Sequence, residues 1–364
     1  MKQRLGLFIF IFLTACVAIP PAAPLPTPHA VIETMTPSAV QTARPTVTAA
    51  ISLIYPYTIQ GLREHDYQSG AVTILSTLKT TDEYISYLIS YPSDGLTITG
   101  VMQVPSGEGP FPVIVMNHGY ADRATYTSGD GTGRAAEYLV RRGYITLASD
   151  YRSWGGSEVG PSLFHTGLVV DVINLMNAIP SIPQADPSRI GMWGHSMGGG
   201  ITTKILTLDP RIKAAVLYAP NSADDRDLID RWGYGCIGQI PESEPLEFCN
   251  AGEVLPANLP DDLVKAYEEA AADTGMLQAI APIHHLEYVA APVQIHIGTA
   301  DGGTIGSTPP EWSYKLHQAL LDARKPVELY TYEGERHSFV GDQWLLFMSR
   351  VVDFFDENVK NIPH

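Results

Sequence analysis

Positive charge is scarce in this sequence. Lys and Arg total 23 against 39 Asp and Glu, and the formal net charge is −16. A nucleic-acid partner needs a basic footprint to replace the counterions around phosphate, so that class of function is excluded. Charge of either sign is low, at 17%, while apolar residues make up 45%. That balance argues against a disordered chain and supplies a sizeable packed core. Long apolar runs are lacking too. Leu5 to Leu13 (LGLFIFIFL) is shorter than the roughly 20 residues that a membrane-spanning helix needs. There is no internal repeat. Cysteine is limited to Cys16, Cys236 and Cys249.

What is present begins with the first residues. Lys2 and Arg4 precede the apolar run, and Leu13-Thr14-Ala15-Cys16 follows it. A short positive region, a short apolar run and a small-residue end mark a secretory signal. Leu-x-Ala-Cys resembles the lipobox of bacterial lipoproteins. The resemblance implies a signal peptide over residues 1–15, cleavage before Cys16, and a diacylglycerol thioether on Cys16. The expectation is an exported, membrane-anchored lipoprotein facing the periplasm or the cell exterior. Val17 after the cysteine favours outward release in a host with two membranes. A plain signal peptide with an incidental cysteine is the alternative.

Residues 16–50 form a Pro/Ala/Thr-rich stretch with almost no charge. Such a segment cannot bury a core and reads as an extended tether. The two remaining cysteines would sit in an oxidising compartment, so Cys236 and Cys249 are expected to pair. The bridge would close a loop of about 14 residues and contribute roughly 3 kcal/mol. Two unpaired thiols are the alternative.

From residue 84 a regular pattern sets in. YISYLIS (84–90) and LTITGVMQV (96–104) are β-rich runs joined by Pro92-Ser93-Asp94-Gly95, a hairpin signal. Continuous apolar runs at 112–118, 144–150, 189–193, 213–219, 292–298 and 327–333 suit strands buried on both faces. Helical patterns alternate with them at 133–142, 166–179, after Ser196, and at 309–323 and 342–359. Strand and helix in alternation predict an α/β fold with an eight-stranded, mostly parallel sheet flanked by helices. Residues 221–290 break the rhythm, being far longer than a usual connection. They hold helical stretches near 222–232 and 260–279 and read as a cap over the sheet's carboxyl edge.

The chemistry centres on Gly194-His195-Ser196-Met197-Gly198, a G-x-S-x-G. The pattern alone is weak in a glycine-rich chain, so its setting decides. RIGMW precedes it as a strand and a helix follows. That strand–turn–helix is what a nucleophile elbow requires, with glycines where the backbone crosses itself. A serine hydroxyl needs a base, usually a histidine oriented by a carboxylate. Asp301 and His337 lie just past two strand ends, in the chain order Ser, acid, His, and are the candidate acid and base. His284, His285, His296 and His317 are poorer candidates by position, and Asp224 or Asp225 could serve as acid in a variant arrangement. The N–H groups of Met197 and Tyr120 are the expected oxyanion donors, with His118 packing beside them. Trp154, Trp232 and Tyr234, near the mouth, are candidate substrate contacts, with a surface or core role for each as the alternative.

These motifs together, "GPFPVIVMNHGY", "DYRSWGGS", "DPSRIGMWGHSMGGG", "APVQIHIGTADG" and "YEGERHSF", resemble the α/β-hydrolase superfamily. The style is that of its prolyl oligopeptidase and dienelactone hydrolase-like branch. The resemblance implies an α/β-hydrolase domain over 51–364, a Ser-Asp-His serine hydrolase working through an acyl-enzyme, and no metal or cofactor. The substrate would be a small ester or, alternatively, a short peptide. The chain departs from the branch in lacking a β-propeller, in using serine where dienelactone hydrolases use cysteine, and in the residues after Asp301. The Tyr120 and Met197 pair is also similar to the oxyanion pair of bacterial cutinases. Those have an open cleft and a tryptophan where this chain has Pro220-Asn221 and a cap, so polyester hydrolysis is a minor option.

Overall fold

The computed structural model describes residues 53–238 and 249–362. The expected signal peptide, Cys16 and the tether lie outside the described residues, as does the middle of the Cys236–Cys249 loop.

Six strands that read as continuous apolar runs form the parallel centre of one sheet. They are β4 (Phe111–Asn117), β5 (Ile145–Ser149), β6 (Ala185–His195), β7 (Ile212–Tyr218), β10 (Val293–Gly298) and β11 (Val327–Tyr332). Both faces of the inner five are covered, whereas β11, the last strand of the sheet, buries only Tyr332. Val113, Val115, Ile190, Met192, Ala215 and Leu217 enter one apolar layer. Ile114, Met116, Trp193, Ala214 and Val216 enter the other. Double burial is why these runs show no polar alternation. The first layer is closed by α3 (Thr166–Ala178), α4 (Met197–Leu206) and α8 (Pro310–Asp322). The second is closed by α2 (Gly133–Val140) and α9 (Gly341–Phe355). A short α1 (Ile59–Arg63) precedes the sheet.

The sheet order is β1-β2-β3-β5-β4-β6-β7-β10-β11, with β2 (Tyr84–Ser93) and β3 (Leu96–Pro105) antiparallel around the Asp94–Gly95 turn. This sheet has nine strands among the described residues where the sequence suggested eight. The additional strand is β1 (Thr73–Thr80), at the sheet edge and exposed along its whole length. Its pairing with β2 shifts register between Ile74 and Ser76 and again between Thr77 and Lys79. A strand held by one backbone ladder, with no buried face, leaves no periodic signal to read.

Between β7 and β10 lies the expected insertion. It contains α5 (Asp225–Trp232), α6 (Asp261–Ala272) and α7 (Thr274–Ile280). The helical stretch near 260–279 is therefore two helices, broken at the extended Asp273, whose carboxylate caps the N–H of Met276 at 2.8 Å. A small parallel pair, β8 (Gly235–Ile237) and β9 (Asn250–Leu255), was not expected. Strands this short fall below any readable period. Leu255, Tyr267, Leu277 and Ile280 of the insertion pack with Leu163 and Phe164, which precede α3, in a separate apolar cluster.

Candidate active site

Ser196 is the single residue between β6 and α4. Its backbone sits at φ 56° and ψ −122°, a conformation that is costly for a residue with a Cβ. The neighbouring glycines are dictated by contact. A Cβ on Gly194 would lie 2.3 Å from the carbonyl oxygen of Gly198, and one on Gly198 would lie 2.1 Å from that of Asn117. The turn is pinned by its own backbone. Ser196 N–H donates to Tyr218 O at 3.0 Å, and Ser196 O accepts from Asn221 N at 2.8 Å and Gly199 N at 2.9 Å.

Asp301 follows β10 and His337 follows β11, so the parallel order of the strands brings both loops to the edge that holds Ser196. His337 Nδ1 lies 2.9 Å from Asp301 Oδ2 and 3.1 Å from Oδ1. A carboxylate only accepts, so Nδ1 carries the proton and Nε2 is left with a lone pair. The Asp301 carboxylate is buried and held from two further sides. Gly302 N–H donates to Oδ1 at 2.7 Å, and Thr308 Oγ1 lies 3.1 Å from Oδ2. Among the described residues no hydrogen bond joins Ser196 Oγ to His337. Such contacts are commonly long in a site without substrate.

Ser196 opens on a narrow cleft lined by Tyr120, His165, Met197, Asn221, Trp232, Asn250 and others. Tyr120, Met197 and Trp232 therefore stand where the sequence suggested. Trp154 does not. It is buried, donates Nε1–H to Ala121 O at 2.9 Å, and carries the Arg123 guanidinium 3.6 Å over its ring. Tyr234 is 41% exposed and packs edge-on to Tyr267, away from the cleft lining. The expectation for both is corrected. Trp154 is a core residue beneath the Tyr120 loop, and Tyr234 belongs to the insertion's outer surface. His118 is a packing residue, as read, stacked on Tyr151 with ring centroids 4.2 Å apart.

The alternatives to the acid and base are placed elsewhere. Asp225 faces Lys204 and Asp224 faces Lys315. His296 is fully buried between Tyr332 OH and Gln294, and His285 donates to Gln278 O. Cys236 and Cys249 are joined by a disulfide, with Cα atoms 5.1 Å apart.

Four side chains at the site escaped the sequence reading. His195 bonds the His337 backbone, Thr308 braces Asp301, and His165 and Asn221 line the cleft. Only His195 had a local signal, being inside the G-x-S-x-G. The others arrive from distant loops.

Residues 108–343 match the family described as "Serine aminopeptidase, S33". Among curated proteins, an "Esterase FrsA" of Shigella boydii serotype 18 is 26% identical over 162 residues, which are 44% of this chain and 36% of that protein. The chain thus spans about a third of that relative's length. A Mycobacterium tuberculosis puromycin-hydrolyzing peptidase superposes with a TM-score of 0.57 at 22% identity, covering 78% of this chain and 41% of the other. Acetyl xylan esterase 1 of Thermoanaerobacterium sp. gives 0.55 at 16% identity over 86% and 93%. The sheet, the elbow and this match lead to one conclusion: the chain belongs to the serine aminopeptidase S33 family, serine hydrolases of the α/β-hydrolase fold.

Proposed function

We propose that this protein is an exported, lipid-anchored carboxylic-ester hydrolase. Ser196 Oγ attacks the ester carbonyl while His337 Nε2 takes its proton. The developing oxyanion is met by the N–H groups of Met197 and Tyr120, at the positive end of α4. Collapse expels the alcohol, which leaves with the proton from His337. Water then cleaves the acyl-enzyme by the same steps in reverse. Asp301 holds the imidazole tautomer and steadies the imidazolium that forms.

The observation that favours ester over peptide is the cleft lining. None of the described residues that border it at Ser196 is a carboxylate or a cation. A peptidase acting on short peptides needs a charged partner for a peptide terminus. The second reading, a serine peptidase, is supported by the description of the matched family. The insertion contributes Trp232, Asn250 and Gly252 to the cleft, which argues against bulky polyesters.

The test compares p-nitrophenyl esters of two to twelve carbons with aminoacyl-p-nitroanilides, for wild type and Ser196→Ala. Ester turnover that requires Ser196, with silent anilides, is expected. Strong anilide turnover would transfer the protein to the peptidases. The anchor rests on Leu-x-Ala-Cys16. Cells fed labelled palmitate should label wild type and not Cys16→Ala, and an unlabelled wild type would overturn the anchor.

A further inference from the structure

The cleft at Ser196 ends in a wall made by His165, Met197 and Asn221, and a second small pocket lies against the same three residues. Two polar atoms in this wall are unpartnered among the described residues. They are His165 Nε2 and Asn221 Oδ1. Each residue is only 6% exposed. A buried polar atom left unpaired costs on the order of 1–3 kcal/mol, so two in one wall of one cleft call for a hydrogen-bonding partner there.

The surroundings fix where these atoms stand. His165 (φ 60°) and Phe164 (φ 51°) are consecutive non-glycine residues in the left-handed region. Lys204 Nζ holds Phe164 O at 2.9 Å, and Glu253 Oε2 accepts from Phe164 N at 3.1 Å. Strain of this kind persists only where the surrounding structure enforces it. At Gly252 a Cβ would stand 3.0 Å from His165 Nε2 and 3.2 Å from Met197 Sδ. The missing side chain lets this segment pass close to the imidazole edge at the cleft wall.

The chemistry of the two atoms defines the ligand. Burial, with Lys204 and Arg123 nearby, pulls the His165 pKa down to about 3, so the ring is neutral at working pH. Its Nδ1 faces the Glu253 carboxyl at 3.8 Å. With the proton on that side, Nε2 presents a lone pair, and Asn221 Oδ1 presents another. Two acceptors call for a donor. The same cations that keep His165 neutral oppose an ammonium, which leaves a neutral hydroxyl.

We infer that the His165–Asn221 wall is a recognition subsite for a hydroxyl group carried by the ester substrate, on its acyl or its alcohol part. The inference rests on the ester reading above. Ethyl butyrate, ethyl 3-hydroxybutyrate and 2-hydroxyethyl butyrate separate the possibilities when hydrolysis is followed by pH-stat, with Ser196→Ala as the blank. One hydroxylated ester should exceed ethyl butyrate at least tenfold in kcat/KM, and which one does so locates the hydroxyl. Asn221→Leu and His165→Phe should each lower that ratio at least fivefold, whatever they do to the rate common to all three esters. Equal kcat/KM for the three esters in wild type would overturn the inference while leaving the ester reading standing. It would mean that solvent satisfies the two atoms. That wild-type comparison decides even if a variant does not fold. A wild-type preference unchanged in both folded variants would also overturn it. Absence of Ser196-dependent turnover of all three esters would overturn the ester reading and this inference with it.

Discussion

The imidazole of His195 donates its Nε2–H to the backbone carbonyl of His337 at 3.0 Å. The residue before the expected nucleophile thus holds the backbone of the expected base. A carbonyl only accepts, so the proton must be on Nε2. Burial, reinforced by His337 itself, pulls the His195 pKa to about 3 and keeps the ring neutral across working pH. The ring also stacks on Tyr218 at 4.5 Å.

His195→Phe keeps the stacking surface and removes the donor. The expected result is a fall in kcat of about tenfold or more with KM for a short ester little changed, because a loosened base affects the transition state rather than binding. His195→Gln, which restores an N–H, should recover part of the loss. A purely structural role would lower the melting temperature equally in both variants and show no such recovery. Steady-state kinetics beside thermal melts distinguish the two.

Asp301→Asn tests the tautomer argument. The amide can present its N–H to His337 Nδ1 and so favour the ring form with the proton on Nε2. Turnover should drop by roughly 10³–10⁴, with the fold intact, as expected when an orienting acid is lost from a triad. A loss of less than tenfold would mean that Thr308 and the backbone of the 337 loop orient the ring without the charge.

How much of this was legible in the sequence follows from burial. The five inner strands of the parallel part declared themselves because both faces are covered, and the elbow because Gly194 and Gly198 touch backbone. Asp301 and His337 could be placed because parallel strands deliver their following loops to one edge. The edge strand β1 could not be read, since it buries nothing. Nor could the fates of Trp154 and Tyr234. Chain position brings an aromatic near the mouth, but whether it turns inward depends on neighbours such as Arg123 and Tyr267 from other segments. His165 and Asn221 belong to the same class. Each is ordinary in its own segment and acquires meaning only where α3, α4 and the insertion meet.

The disulfide bears on the cleft as well as on stability. Cys236 follows α5, which ends at Trp232, and Cys249 precedes Asn250 and Gly252, so the bridge ties together the segments that carry three cleft residues. Reduction, or Cys236→Ser with Cys249→Ser, should cost about 3 kcal/mol by chain entropy, a drop of several degrees in Tm. KM for a short ester should rise more than kcat falls. A lowered Tm with unchanged KM would show that the segments hold their places without the bridge.

Glu253 provides a pH signature. Burial raises its pKa from 4.5 to about 7, although Tyr267 OH and the Phe164 N–H both donate to its Oε2. The sign follows from proton linkage. Between 4.5 and 7 the folded protein keeps a proton that the unfolded chain has released, so stability falls as pH rises through this window. A shift of this size corresponds to about 3 kcal/mol in total. His165 and His195 act in the opposite sense. Their lowered values make the fold lose stability as pH falls below 6.5. Glu253→Gln should keep an acceptor for Tyr267 and Phe164 while removing the titration. Thermal melts from pH 5 to pH 8 should show the variant gaining on wild type as pH rises, by up to several degrees, with the difference levelling above pH 8. A constant difference across that range would mean that Glu253 stays ionised in the folded protein and that its two hydrogen bonds, rather than burial, set its charge.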